Sequence, residues 1–224
     1  PWDIDAQRAI DLALACEQAG REVDPRIGNS DGASLNRNAS VSVYANSHGF
    51  LGAERGTSHS LGCALIAGEG DSMQRDGWYS TALSHQELED PVAIGRKAAE
   101  RTVARLQPRS LATGEYPVLF SAEVARSLVG HLLGAVSGGA LYRKASFLLD
   151  HVGQRIFPDW LAIEELPLLP HGLRSAAFDA EGAATKGSHL IRDGVLERYV
   201  LGSYLARRLG AQALGHAGGV RHLH

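Results

Sequence analysis

The residues with the strongest claim to chemistry lie in Gly130-His131-Leu132-Leu133-Gly134-Ala135-Val136-Ser137-Gly138-Gly139. A zinc-peptidase helix needs two histidines on one face and a glutamate beside the first as general base. One turn of helix then brings both imidazoles to a single metal. His131 has no second histidine on its helix, and none of the ten histidines in the chain is followed by glutamate. A His-Glu-x-x-His arrangement is therefore excluded. Ser137 with His131 is the hydroxyl-nucleophile arrangement considered, but six residues along a continuous helix do not make a nucleophile–base pair. Ser137 is not in a G-x-S-x-G pattern, because Ala135 stands two before it, and the phosphate-loop, dinucleotide-loop and paired C-x-x-C patterns are absent. These residues alone assign no catalytic group and no metal ligand, and a lone helical His131 is expected to be structural.

The elements expected to position this stretch run from Pro117 to Asp150. Pro117-Val-Leu-Phe120 is a short apolar run that predicts a buried strand. Val124, Leu128, Leu132, Leu133 and Val136 recur at helical spacing. Gly138-Gly139 predicts a break in that helix, glycine being tolerant of positive φ. A second helix is predicted from Ala140 to about Asp150, carrying Tyr142-Arg143-Lys144.

Around it, Asp5 to Val23 predicts an amphipathic helix ended by Asp24-Pro25, and Gly28-Asn-Ser-Asp-Gly32 predicts a turn. Strands are expected at 40–45, 58–67 and 77–83, joined by hairpin-like turns at Asn46-Ser-His-Gly49 and Gly68–Asp71. In the first, Val41 and Val43 alternate with polar residues. Asn46 and His48 at the tip are ordinary turn residues or, alternatively, part of a polar loop lining a substrate groove. Pro91 to Leu106 predicts a helix with Ile94 and Ala98 inward and Arg96, Lys97, Arg101 and Arg105 outward. Glu100 interrupts that basic face and no aromatic accompanies it for base stacking, so a solvated face is favoured over a nucleic-acid site. Further on, a strand over 161–166, a turn at Asp179-Ala-Glu-Gly182, a hairpin across Arg192-Asp193-Gly194 and a helix over 203–209 complete the chain. Meander, hairpin and packed helices imply an α+β fold with mostly antiparallel sheet. No linker or repeat stands out, and 1–224 is expected to be one domain. Gly215 to His224 is expected to be a flexible tail whose His216, His222 and His224 hold metal only adventitiously.

At 224 residues, 44% hydrophobic and 21% charged, the chain can bury a sizeable core. A formal net charge of −3 provides no field that draws it to nucleic acid or anionic lipid. No apolar run approaches the roughly 18 residues of a membrane span, and no secretory leader is visible. Two cysteines, Cys16 and Cys63, are expected as buried thiols in a reducing, cytoplasmic compartment.

Several landmarks occur in order: Asn46-Ser-His-Gly-Phe50, Met73-Gln-Arg-Asp76, Gly130-His131, Tyr142-Arg-Lys144, Phe178-Asp-x-Glu-Gly182, Asp193-Gly194 and Gly215-His-Ala-Gly-Gly219. On them the chain resembles the PmbA (TldE) branch of the PmbA/TldD family, described as peptide-maturation metalloproteases and as modulators of DNA gyrase. The resemblance implies a middle piece of a longer protein. In the TldD branch the corresponding helix carries His-Glu-x-x-x-His and binds zinc. Laid over it by the glycines, those three positions fall on Gly130, His131 and Ala135. The resemblance therefore implies a subunit of a TldD/TldE-type complex that processes unfolded or short peptides. Zinc is expected in the TldD-type partner, with no catalytic residue, metal or cofactor in this chain. His131, Ser137, Asn46, His48 and Arg143 are the candidates for lining a substrate channel. Two alternatives stand beside it: a gyrase-modulating interaction protein, and an independent peptidase whose site is completed by segments outside these residues.

Overall fold

A computed structural model describes residues 2–224. The fold is α+β with antiparallel sheet, as expected. The sequence shows no linker, yet the chain folds into two compact units. The first comprises residues up to Val41 together with Arg55–Gly114. The second comprises Ser42–Glu54 and Glu115–His224.

In the first unit, helix α1 (Ala6–Arg21) starts where the Asp5 carboxylate accepts the Arg8 N–H at 2.7 Å. Strands β1 (Asn29–Ala45), β2 (Leu51–Ala67) and β3 (Gln74–Ala82) form one sheet in chain order. Helix α2 (Pro91–Ala104) begins at Asp90, which accepts the N–H groups of Val92 and Ala93, with Pro91 at the first helical position. β2 pairs antiparallel with β3, Cys63 opposite Trp78. Its alternate residues Leu61, Cys63, Leu65 and Ala67 turn inward onto Cys16, Ile94, Ala98 and Ala99 of the two helices. Both cysteines are free and buried there. The basic face of α2 is not simply solvated. Lys97 Nζ sits 3.5 Å from the centre of the Trp78 ring, and Arg101 and Arg105 pair with Asp76 at 3.5 and 3.3 Å.

One expectation for this unit fails. Gly28–Gly32 lies mostly inside β1 and is not a free turn, because pairing with β2 continues well beyond the hairpin tip. The strand expected at 40–45 lies within β1, where Val41 and Val43 are 67% and 66% exposed.

The second unit holds helices α3 (Ala122–Ala135), α4 (Gly138–Tyr142) and α5 (Ser203–Arg208) and strands β4 (Ile163–Glu165), β5 (Ser188–Arg192) and β6 (Val195–Leu196). The three strands form an antiparallel sheet in the order β4-β5-β6. The β5–β6 turn places Asp193 at φ 49° and Gly194 at φ 76°, the geometry the Asp-Gly pair favours. The core joins Leu132 and Val136 at the end of α3 to Leu148, Ile163, Leu190, Ile191 and Leu196.

Pro117–Phe120 is not a strand: it has no regular structure and Leu119 is 97% exposed. The α3–α4 break falls at Val136-Ser137, and Gly138 opens α4 without positive φ. Glycine is needed there for space, since a Cβ on Gly138 would lie 2.9–3.0 Å from Leu201 and Leu205. α4 stops at Tyr142, short of the helix expected to about Asp150, and Lys144 at φ 54° turns the chain away. The C-terminal segment is not a loose tail. His222 and His224 pair with the β4 region, Leu166 N–H donating to His222 O at 2.8 Å and His224 N–H to Glu164 O at 2.8 Å.

The tightest packing in the first unit is backbone on backbone between α1 and α2. A Cβ on Gly95 would lie 1.9 Å from Cys16 O, and one on Gly20 would lie 2.7 Å from Gly95 O. Gly95→Ala is expected to cost about 3 kcal/mol, the upper end of overpacking effects, read as a fall in the urea midpoint; an unchanged midpoint would contradict this packing.

Candidate groove along the α3 helix

One concavity on the second unit is a groove of about 640 Å³ along α3. Val129, Gly130 and Leu133 of the helix line it, together with Ser137, Val200, Gly219 to Arg221 and Leu223. Arg126, Arg174 and Arg221 supply its charge. A second, apolar trough of about 450 Å³ shares Val129 and Leu223 with it and adds Leu128, Leu132, Phe157 and Leu161. α3 can line both because its apolar stripe is wider than its buried contact: Leu132 is buried while Val124 and Leu128 stay about half exposed.

Behind the groove sits a buried ionic cluster. The Glu165 carboxylate, 1% exposed on β4, accepts from Arg198 Nη2 at 2.8 Å and hydrogen-bonds His216 Nε2 at 2.6 Å. Its other oxygen accepts the Arg221 N–H at 2.7 Å. Burial pushes the Glu165 carboxyl up, but the His216 hydrogen bond, the Arg221 N–H and the nearby Arg198 guanidinium outweigh it and hold it below the ordinary value. Arg198 is drawn down by burial despite Glu165, yet guanidinium starts so high that it stays charged. Arg198 Nε and Nη1, His216 Nδ1 and Arg221 Nε are buried without a partner among the described residues.

Of the candidates named from sequence, only Ser137 reaches the groove, and its Oγ donates to Gly134 O at 2.8 Å. That hydroxyl proton is engaged by backbone. His131 is exposed on α3 and does not line the groove. Asn46 builds the hairpin tip: its Oδ1 accepts His48 N–H and Phe50 N–H at 3.1 and 3.2 Å, and its Nδ2 reaches Glu181 O at 3.4 Å. Phe50 packs edge-on against Phe178, so the tip is anchored on the 178–182 turn while His48 stays exposed. Arg143 is exposed at the end of α4. Asp179 and Glu181 are not a paired acid and base. Asp179 accepts the N–H groups of Glu181, Ala183 and Ala217, and Glu181 accepts Ser203 N–H.

Sequence reasoning missed Arg126, Arg174, Arg221, Glu165 and Arg198, and placed His216 in a flexible tail; it is 4% exposed. A zinc ion does not fit the donors on α3. Gly130 and Ala135 have no ligand atoms, which leaves His131 as a single imidazole on that helix. Among the described residues no three His, Cys, Asp or Glu side chains gather as a ligand set. No helix among them is long and apolar enough to cross a membrane.

Comparison with known proteins gives two adjacent family matches, the PmbA/TldA metallopeptidase central domain over residues 1–106 and the C-terminal domain over residues 113–223. The metalloprotease PmbA of Escherichia coli O157:H7 is 46% identical over 220 residues, covering 98% of this chain and 49% of that protein. A Bacteroides thetaiotaomicron crystal structure, described as a candidate modulator of DNA gyrase, superposes with a TM-score of 0.91 at 28% identity, covering 98% of this chain and 50% of that one. TldE of Thermococcus kodakarensis shares the fold at a TM-score of 0.73 and 18% identity, covering 98% of this chain and 51% of that one. The chain thus spans about half the length of the relatives it matches.

Two outcomes follow from this geometry. Glu165→Gln leaves Arg198 buried without its counter-charge and is expected to cost about 3–5 kcal/mol in chemical denaturation. Because the folded Glu165 carboxyl titrates below the unfolded one, its contribution is complete above about pH 4.3 and disappears as pH falls further. The variant should therefore lose part of the acid dependence of stability; an unaltered acid limb would contradict a native charge pair. His131→Ala, by contrast, should shift stability by no more than ~0.5 kcal/mol, as an exposed site, and a larger loss in thermal melting would show hidden packing.

Proposed function

This chain belongs to the PmbA/TldD metallopeptidase family, and from that premise we propose that it is the subunit of a TldD/TldE-type peptidase assembly that shapes the substrate passage and leaves the zinc chemistry to its partner. The observation that carries the reading is α3. On the resemblance to the TldD branch, the His, Glu and His of its His-Glu-x-x-x-His fall on Gly130, His131 and Ala135, two of which have no donor atom, while Gly130 lines an open groove. The chain's own residues then hold and orient a peptide: the apolar wall of α3 takes side chains, and the sheet edge at 222–224 offers backbone pairing to an extended segment. The substrates would be unfolded or short peptides, because a groove of this size admits a single extended chain. Two buried free thiols fit a cytoplasmic, reducing compartment.

The test is reconstitution. The full-length protein alone is expected to leave an unfolded peptide intact, and an equimolar mixture with a TldD-type protein is expected to elute as one species and cleave it. Chelation should abolish cleavage by the mixture, with zinc restoring it. Cleavage by the purified protein without a partner would overturn the division of labour and favour an independent peptidase.

A further inference from the structure

We infer that the groove under α3 recognises a carboxylate carried at the end of an apolar peptide segment, with Arg126, Arg174 and Arg221 as the recognising groups. This rests on the peptide-handling reading above and specifies which peptides are held.

The charge of the groove is of one sign. Three arginines and no acidic residue line it, in a chain whose net charge is −3. They arrive from three separate elements. Arg126 lies on α3 one turn before Gly130. Arg174 lies in the loop after β4, its N–H donating to His222 Nε2 at 3.1 Å. Arg221 leads into the segment paired with β4 and is fixed on two sides, its N–H by Glu165 at 2.7 Å and its Nη2 by Phe178 O at 3.3 Å. Arg221 Nε is buried and has no partner among the described residues. Neither the Arg126 nor the Arg174 side chain has an ion-pair partner among the described residues. Like charges brought together without counter-charge repel, so a fold that gathers them gains when an anion enters.

The rest of the lining says what carries the anion. Val129, Leu133, Val200 and Leu223 are apolar, and through Val129 and Leu223 the groove continues into the trough of Leu128, Leu132, Phe157 and Leu161. A ligand filling both has apolar side chains leading to a charged end. Guanidinium matches a carboxylate with paired, charge-assisted hydrogen bonds. Gly130 leaves the passage clear, for a Cβ there would meet nothing within 4 Å.

The experiment uses the full-length protein and a hexapeptide ending in two leucines, fluorescently labelled at its N-terminus, followed by fluorescence polarisation. Three forms are compared: the free acid, the C-terminal amide, and the amide with glutamate in the last position. The free acid is expected to bind about tenfold more tightly than the amide, the scale of one charge-assisted contact. If the glutamate amide recovers the affinity, a side-chain carboxylate serves as well as a terminal one; if it does not, the site reads the chain end. Arg126→Gln and Arg174→Gln, both exposed and outside the buried cluster, should weaken the free acid towards the amide and leave the amide unchanged, with melting temperatures unaltered. Equal binding of acid and amide, no binding of either, or a preference that survives both substitutions would overturn the inference. Failure is separable from failure of the assembly reading. A reconstituted mixture that cleaves peptide without any carboxylate preference removes this inference alone, and a carboxylate preference without cleavage by the mixture removes the other alone.

Discussion

The second unit is organised around one buried negative charge. Glu165 stands on a strand of three residues, too short to be held by its own ladder. It is fixed by the groups it gathers: Arg198 beyond β6, His216 in the Gly-rich segment, and the Arg221 backbone. Those partners are 33, 51 and 56 residues away in sequence, so the carboxylate closes three long loops at one point. Loop-closure entropy grows only slowly with length, whereas an unpaired buried carboxylate is prohibitive. The native arrangement of these segments is therefore tied to the satisfaction of that charge. Next to the Arg221 N–H, the 222–224 segment is seated beside β4 by backbone hydrogen bonds to Glu164 and Leu166, and Leu223 from it lines the groove.

This explains why parts of the molecule were legible in the sequence and others not. Local signals worked where a local cause fixes the backbone. Asp90-Pro91 starts α2, Asp5 starts α1, and Asp193-Gly194 turns β5 into β6. They failed where burial depends on distant partners. Pro117–Phe120 has the composition of an inward strand but no neighbour to pair with in this unit, and short apolar runs carry no periodicity that would tell the difference. Glycine misled in the opposite direction. Gly215 resembles a flexible hinge, yet its φ is +80° and a Cβ would lie 2.6 Å from Ala184 O, so it marks close approach and not freedom. The groove arginines were invisible because residues 126, 174 and 221 share no spacing; only the fold makes them a set.

The same contrast separates the candidates that the family resemblance pointed to from those the geometry favours. Asn46, Phe50 and the 178–182 turn hold one another, so their recurrence as landmarks has a structural cause. Gly182 shows it most directly: at φ +78° its missing Cβ would sit 2.7 Å from the Phe50 ring and 2.9 Å from Tyr44. A residue can belong to a family pattern because the pattern packs, and only its surroundings show which kind of landmark it is.

α3 is the opposite case. It carries glycine at 130 and 134, and each costs roughly 1 kcal/mol relative to alanine inside a helix. Packing demands neither, since a Cβ at either position would meet no atom within 4 Å. For Gly134 the structure offers no reason. For Gly130 the consequence is visible: the helix face stays flat where it borders the groove, and the volume a side chain would occupy is left open. That openness does not depend on the helix alone, because residues 219–221 and 223 also line the groove, and Arg221 is held by its backbone N–H on the buried Glu165 carboxylate. A side chain at 130 could therefore be added or removed without disturbing what holds the rest of the groove together.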